Sequence, residues 1–374
     1  MSPRPPSGGA GALLLHVGPH KTATTYLQSN FYGNRAALLE RGWLYPKLGE
    51  RVRIGHHDIA DRPSDLLRKS GPAHDDLRRL AEEAGRGTNI LLSSEGFRRW
   101  RPVHHDALKE IFAPRELRLC YVIRDPMSVL HALWAQTVSL GGTETLPSWI
   151  ETHRLRGRRS RILNPMIEIG SIVRRPETPC TFLLYDEIAR RGLDIFRVFA
   201  EEALGAPAIA PRPSAPANKR PPAEMTEFIR LLSMRSPHIG EDGGLHAGEA
   251  VRYLLSEPER RTIVETIRRD GAAARRTIEI SRQTPGYLAL ERDLIETLGP
   301  AMRPQPERGK IFLSEPETWT WYDDTLPGVP SVAALLTKAE RKTRPGGVGM
   351  TIANETKRLL RLGRKVRKRL LPVA

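Results

Sequence analysis

The apolar run Gly11-Ala-Leu-Leu-Leu-His-Val17 opens directly into Gly18-Pro-His-Lys-Thr-Ala-Thr-Thr25, and this junction constrains the fold more than any other stretch. A short apolar run bounded by glycine and proline predicts a buried strand. Residues 24–39 predict a helix that turns Tyr26, Leu27, Phe31 and Leu38 inward. Between them stand a lysine, three threonines and the backbone N–H groups of a helix start, which together suit a phosphate-like anion. Gly18, Lys21, Thr22, Ala23, Thr24 and Thr25 are therefore candidate anion-binding residues. The full Gly-x-x-x-x-Gly-Lys-[Ser/Thr] phosphate loop is not present, because His20 precedes Lys21. Taken alone, these residues would also suit an ordinary strand-to-helix turn.

Three further apolar runs, at residues 89–93, 117–123 and 181–185, are separated by helical patterns. This alternation predicts an α/β fold, a P-loop-like parallel sheet flanked by helices. Glu95 follows the second run, Arg124 follows the third, and Tyr185 and Asp186 close the fourth. In an open parallel sheet such residues converge beyond the carboxyl ends of the strands. The expected organisation is a flexible lead-in at 1–11 and one α/β domain at 12–300, strand-rich to about 204 and helical from about 221, with one helix over 257–280. An irregular cover at 301–347 and a basic amphipathic tail at 348–374 complete it.

The net charge of +16 is concentrated at the C-terminus. From residue 335 onward, twelve lysines and arginines face only Glu340 and Glu355, so the globular part is mildly basic, as a site for a polyanion requires. Residues 354–371 set leucines among basic residues, a pattern suited to an anionic membrane surface, to an acidic partner or to a solvated tail. Nucleic acid is disfavoured, because the tail lacks an aromatic stacking platform. Cys120 and Cys180 fall inside strand patterns and are expected as free thiols. The N-terminal apolar run is too short for a signal peptide or a membrane span, so a cytoplasmic location is expected, with peripheral attachment at the inner membrane surface open to the tail. No metal-ligand spacing is found, and no metal is expected.

The stretch from Leu13 to Tyr45, LLLHVGPHKTATTYLQSNFYGNRAALLERGWLY, resembles the opening of the bacterial sulfotransferase family. That family's donor is 3′-phosphoadenosine 5′-phosphosulfate, and its Lys-Thr-Gly-Thr-Thr-type loop grips the phosphosulfate. Here the loop reads Lys21-Thr22-Ala23-Thr24-Thr25, and alanine in the glycine place is tolerable only if that residue keeps a negative φ. The stretch YVIRDPMSVLHALWAQ, from Tyr121 to Gln136, matches the family where an arginine and a serine eight residues later bind the 3′-phosphate. Arg124 fills the first place. Ala132 stands in the second, and Ser128 or His131 is the expected substitute. Asn218-Lys219-Arg220 resembles the segment preceding a helix in bacterial members, which adds Lys219 and Arg220 to the donor site. The resemblance extends over about residues 13–298 and implies a carbohydrate or glycolipid acceptor.

Sulfuryl transfer needs in-line alignment, charge stabilisation on the leaving oxygen and a base for the acceptor proton. Lys21 is expected to follow charge onto the leaving phosphate. Glu95, in Ser93-Ser94-Glu95, is the leading base, and the family shows a similar Ser-Ser-Glu there; an N-cap or a partner for Arg98 or Arg99 is the structural alternative. His20, beside the anion loop, is expected to be protonated and so to act as a donor. His56 and His57 are candidate substrate contacts, set against a locally bonded pair. Two rival functions remain at this point. An ATP-dependent small-molecule kinase would need a fuller loop and Mg²⁺ ligands, and a non-catalytic binding protein on a degenerate sulfotransferase fold is kept open by Ala23 and Ala132.

Overall fold

Alternate residues of the apolar runs are buried in opposite directions, which is what a sheet covered on both faces requires. The computed structural model describes residues 9–49, 54–175, 177–212, 221–236, 239, 245–307 and 309–343. Its strands are β1 (Ala12–His16), β2 (Trp43–Leu44), β3 (Asn89–Ser93), β4 (Glu116–Ile123), β5 (Cys180–Leu184), β6 (Arg275–Ile280), β7 (Met302–Arg303) and β8 (Glu317–Tyr322). Six of them form an all-parallel sheet in the order β2-β3-β1-β4-β5-β7. Leu13, Leu15, Ile90, Leu92, Leu119 and Phe182 pack into one layer with Leu77, Leu108, Ile169 and Leu294 from helices. Ala12, Leu14, Leu91, Cys120, Val122 and Leu183 pack into the other with Leu27, Phe31, Phe196 and Phe199. Both cysteines are free thiols.

The chain divides into two units, each discontinuous in sequence. The first, Met1–Val129, Gly157–Ala217 and Arg282–Ser314, holds the parallel sheet. Within it, β1 lies between β3 and β4; the chain leaves β1 toward β2 and β3, and leaves β4 toward β5 and β7. The loops after β1 and β4 thus diverge, opening a crevice at a topological switch point.

The second unit, Leu130–Arg156, Asn218–Ser281 and Glu315–Ala374, contains an antiparallel pair, β6 and β8, with helices Ala223–Arg235, Glu257–Asp270 and Pro330–Thr343. Three expectations are corrected here. The helix expected over 257–280 ends at Asp270, and β6 follows. At Gly271 an added Cβ would lie 2.6 Å from both the Ile267 carbonyl oxygen and Leu326 Cδ1, and the next residues favour a strand through Thr277, Ile278 and Ile280. Nor are the described residues of 301–347 an irregular cover: Trp319 and Tyr322 are buried in β8, and 330–343 is helical. Residues 12–300 contribute to both units. The helix expected over 24–39 is also interrupted, at Asn34, whose amide donates to Ala210 O (3.2 Å) and accepts from Arg212 Nε (3.2 Å). The basic tail at 348–374 lies outside the described residues, as do Lys219 and Arg220.

Candidate functional site

The loop after β1 is built on strain and close contact. Gly18 is buried, and a Cβ there would sit 2.8 Å from His16 Nε2, a ring held edge-on to Phe31 and Phe199; only glycine fits. Lys21 and Ala23 both occupy the left-handed region, at φ 68° and 60°. The condition set for Ala23, a negative φ, is thus not met, and the chain bears the strain instead of avoiding it. For an L-residue this conformation costs roughly 1–2 kcal/mol. Ala23→Gly is therefore expected to raise unfolding stability by about 1 kcal/mol, read as an upward shift of the urea midpoint with unchanged m-value.

Thr22 and Thr24 are turned inward. The Thr22 hydroxyl donates to Pro19 O at 2.6 Å and the Thr24 hydroxyl to the same oxygen at 3.3 Å. Both are buried and stitch the loop to itself, so the anion-donor role expected of their hydroxyls is corrected; Thr25 is the exposed one. Helix Thr24–Gly33 begins with no side-chain cap and no acidic residue in its first turn. Its leading N–H groups therefore have no side-chain acceptor.

Arg124, at the end of β4, crosses the crevice. Its Nη1 donates to the Lys21 carbonyl, its guanidinium lies 4.6 Å from the Tyr185 ring centroid, and its buried Nε has no partner among the described residues. The adjacent Asp125 does not pair with it. Asp125 accepts from Arg282 Nε (3.0 Å) and Nη2 (3.2 Å), from Ser128 N (2.7 Å) and from the Tyr287 hydroxyl, while its own N–H donates to Asp186 (2.6 Å). Burial pushes the Asp186 carboxyl up to about 6. Ser128, the expected 3′-phosphate ligand, is buried, and its hydroxyl oxygen accepts from Arg282 (3.3 Å). It serves this cluster instead of an open anion site, which corrects its expected role. Asp186 was expected at the end of the fourth strand, but Arg282 and Tyr287 were not among the expected site residues.

Glu95 begins a short 3₁₀ turn, Glu95–Arg99, capped by the Ser94 hydroxyl accepting from Gly96 N. Gln28 donates to Glu95 at 3.4 Å, and His57 Nδ1 lies 3.6 Å from its carboxylate and 2.9 Å from the Ser94 hydroxyl. His57 is therefore at the site. His56 is not available to a substrate: its Nδ1 accepts from Ser93 N (2.9 Å), its Nε2 donates to Pro46 O (2.9 Å), and burial lowers it to about 4. It is a neutral clip joining three segments. His20 also departs from expectation. Crowding of its ring, then the charge of Arg98, outweigh Glu95 and hold it below the usual histidine value, so at neutral pH it has a lone pair and can take a proton. The sequence missed this because Arg98 and Arg99 arrive from a different loop.

No protein-family model matches the chain, and neither a curated protein nor a solved structure is significantly similar to it. Among the described residues no group of three or more His, Cys, Asp or Glu is placed to hold a metal ion, and no helix is long and apolar enough to cross a membrane.

Proposed function

We propose that the chain is a sulfotransferase that moves a sulfuryl group from 3′-phosphoadenosine 5′-phosphosulfate to a hydroxyl or amine, with a carbohydrate or glycolipid as acceptor. The observation that carries this reading is the junction of β1 and β4. A P-loop-like turn strained at Lys21 and Ala23 leads into an uncapped helix, and Arg124 is latched to its backbone with a buried Nε–H unused. Strain of this kind persists where a ligand loop is over-determined by its surroundings. Uncapped helix N–H groups and an unused guanidinium edge favour an anion of several charges.

In this reading the acceptor oxygen attacks sulfur while the bond from sulfur to the bridging 5′-phosphate oxygen breaks. The electron pair of that bond goes to the phosphate oxygen, whose charge Lys21 balances. The acceptor proton goes to His20 or Glu95, two bases near enough for the Glu95 charge to act on His20. The test is calorimetric titration of adenosine 3′,5′-bisphosphate, and separately of ATP with Mg²⁺, into wild type and Lys21→Ala. Loss of one charged hydrogen bond, about 1.5–3 kcal/mol, predicts bisphosphate affinity lower by about ten- to a hundredfold in the variant. Preference for ATP would replace the reading with a kinase. Absence of both would leave a non-catalytic fold.

A further inference from the structure

We infer that the acceptor carries a negative charge, a carboxylate, read by Arg98. This rests on the sulfotransferase reading and adds a substrate class to it. Arg98 lies on the same 3₁₀ turn as Glu95, and its charge is felt by His20, so it stands beside both groups that would take the acceptor proton. Its position is fixed from behind. Nη1 donates to Glu168 at 2.6 Å, and Glu168 accepts a second hydrogen bond from the Tyr121 hydroxyl of β4 at 3.1 Å. The Glu168 side chain is only 5% exposed. Desolvation raises that carboxyl, against the pull of Arg98 and Arg161. A buried carboxylate is a costly way to hold a surface arginine, and it removes the rotamer freedom such a side chain otherwise keeps.

The consequence is directional. With Nη1 committed to Glu168, the edge formed by Nε–H and Nη2–H remains without a protein acceptor among the described residues. Two parallel N–H groups on a planar edge match the two oxygens of a carboxylate. A neutral sugar hydroxyl would use half of that edge. The surrounding charge agrees: Arg98, Lys21 and Arg99 all act on His20 as cations, with Glu95 the opposing anion. Arg99 is paired with Asp61 (2.6 Å) at an exposed position, which leaves Arg98 as the fixed contact. An acceptor bound through its carboxylate would present a neighbouring hydroxyl toward His20 and Glu95.

The test uses the full chain saturated with adenosine 3′,5′-bisphosphate and titrated with 4-nitrophenyl β-glucuronide and, separately, 4-nitrophenyl β-glucoside. The glucuronide is expected to bind at least tenfold more tightly. Arg98→Gln should abolish that preference while leaving bisphosphate affinity unchanged, and Arg98→Lys, which keeps the charge beside Glu168 but not the planar edge, should reduce it severalfold. Equal affinity for the two glycosides, or no glucuronide binding by protein that takes the bisphosphate, overturns the inference without touching the donor site. A preference that survives Arg98→Gln overturns it too. A bisphosphate affinity that falls with Arg98→Gln assigns the arginine to the donor and rejects the acceptor role. Wild type that does not bind the bisphosphate removes the sulfotransferase reading and this inference together.

Discussion

Arg282→Met is expected to cost about 3–5 kcal/mol of unfolding stability, the largest effect of any single substitution considered for this chain. The Arg282 and Asp125 side chains are 1% and 0% exposed, so the variant leaves a carboxylate out of water with its strongest partner gone. Tyr287 and Ser128 still donate to Asp125, but neither carries charge. The effect should be asymmetric. Adding Asp125→Asn to Arg282→Met removes the stranded charge, so the double variant is expected to recover roughly half of the loss in a double-mutant cycle read by urea unfolding at pH 7. A cost below about 1 kcal/mol for Arg282→Met would mean that the pair is solvated, not held out of water. The cluster also bears on function, because Asp125 follows Arg124 directly and its N–H is anchored to Asp186. The geometry by which Arg124 reaches the Lys21 carbonyl is therefore set by residues far away in the chain.

That distance explains what could and could not be read from the residues. The runs that became β1, β3, β4 and β5 were legible because each buries a contiguous apolar segment, a local signal. β2 and β7 span two residues each, too few to set a pattern. β6 was hidden in a charge-rich window because three of its six residues are charged and most of them face solvent. The loop Gly18–Thr25 was legible as a motif, since all its chemistry is contiguous. Its conformation was not: whether Ala23 could avoid positive φ depended on how the loop closes over His16 and Pro19. Arg282 meets Asp125 across 157 positions, and Glu168 meets Arg98 across 70, so no local spacing marks either pair. The same reasoning accounts for Ser128, which lies one turn from the expected serine place but spends its hydroxyl oxygen on Arg282.

Acidification should destabilise the fold through histidines buried as neutral rings. Burial lowers His16 to about 3, and His56 and His105 to about 4. His16 stands between Phe31 and Phe199 with Nδ1 2.8 Å from the Ser93 hydroxyl, and His105 packs near Trp100. Each folded-state value lies below the unfolded value near 6.5, so between about pH 6.5 and 4 the unfolded chain binds protons that the folded chain refuses. Stability is then fully present above pH 6.5 and is lost as the pH falls toward 4. Each such proton is worth about 1.4 kcal/mol per pH unit. Asp186 acts oppositely: with its folded value raised to about 6 it takes up a proton in the folded state over the same range. Glu168 and Glu227, also raised by burial, act in the same sense as Asp186. The histidines held neutral outnumber Asp186, so between pH 6 and 5 the fold loses stability as the pH falls. Urea midpoints measured from pH 7.0 to 5.0 should fall accordingly. His105→Leu, which replaces a buried ring whose Nε2 has no partner among the described residues, should flatten the slope by about one proton, or about 1.4 kcal/mol per pH unit. Midpoints that hold constant across this range, or a slope that His105→Leu leaves unaltered, would show that the rings reach water and titrate normally in the folded state. The same field places His20 on the neutral side at pH 7, so the group beside the anion loop is set to accept a proton under the conditions in which the fold is most stable.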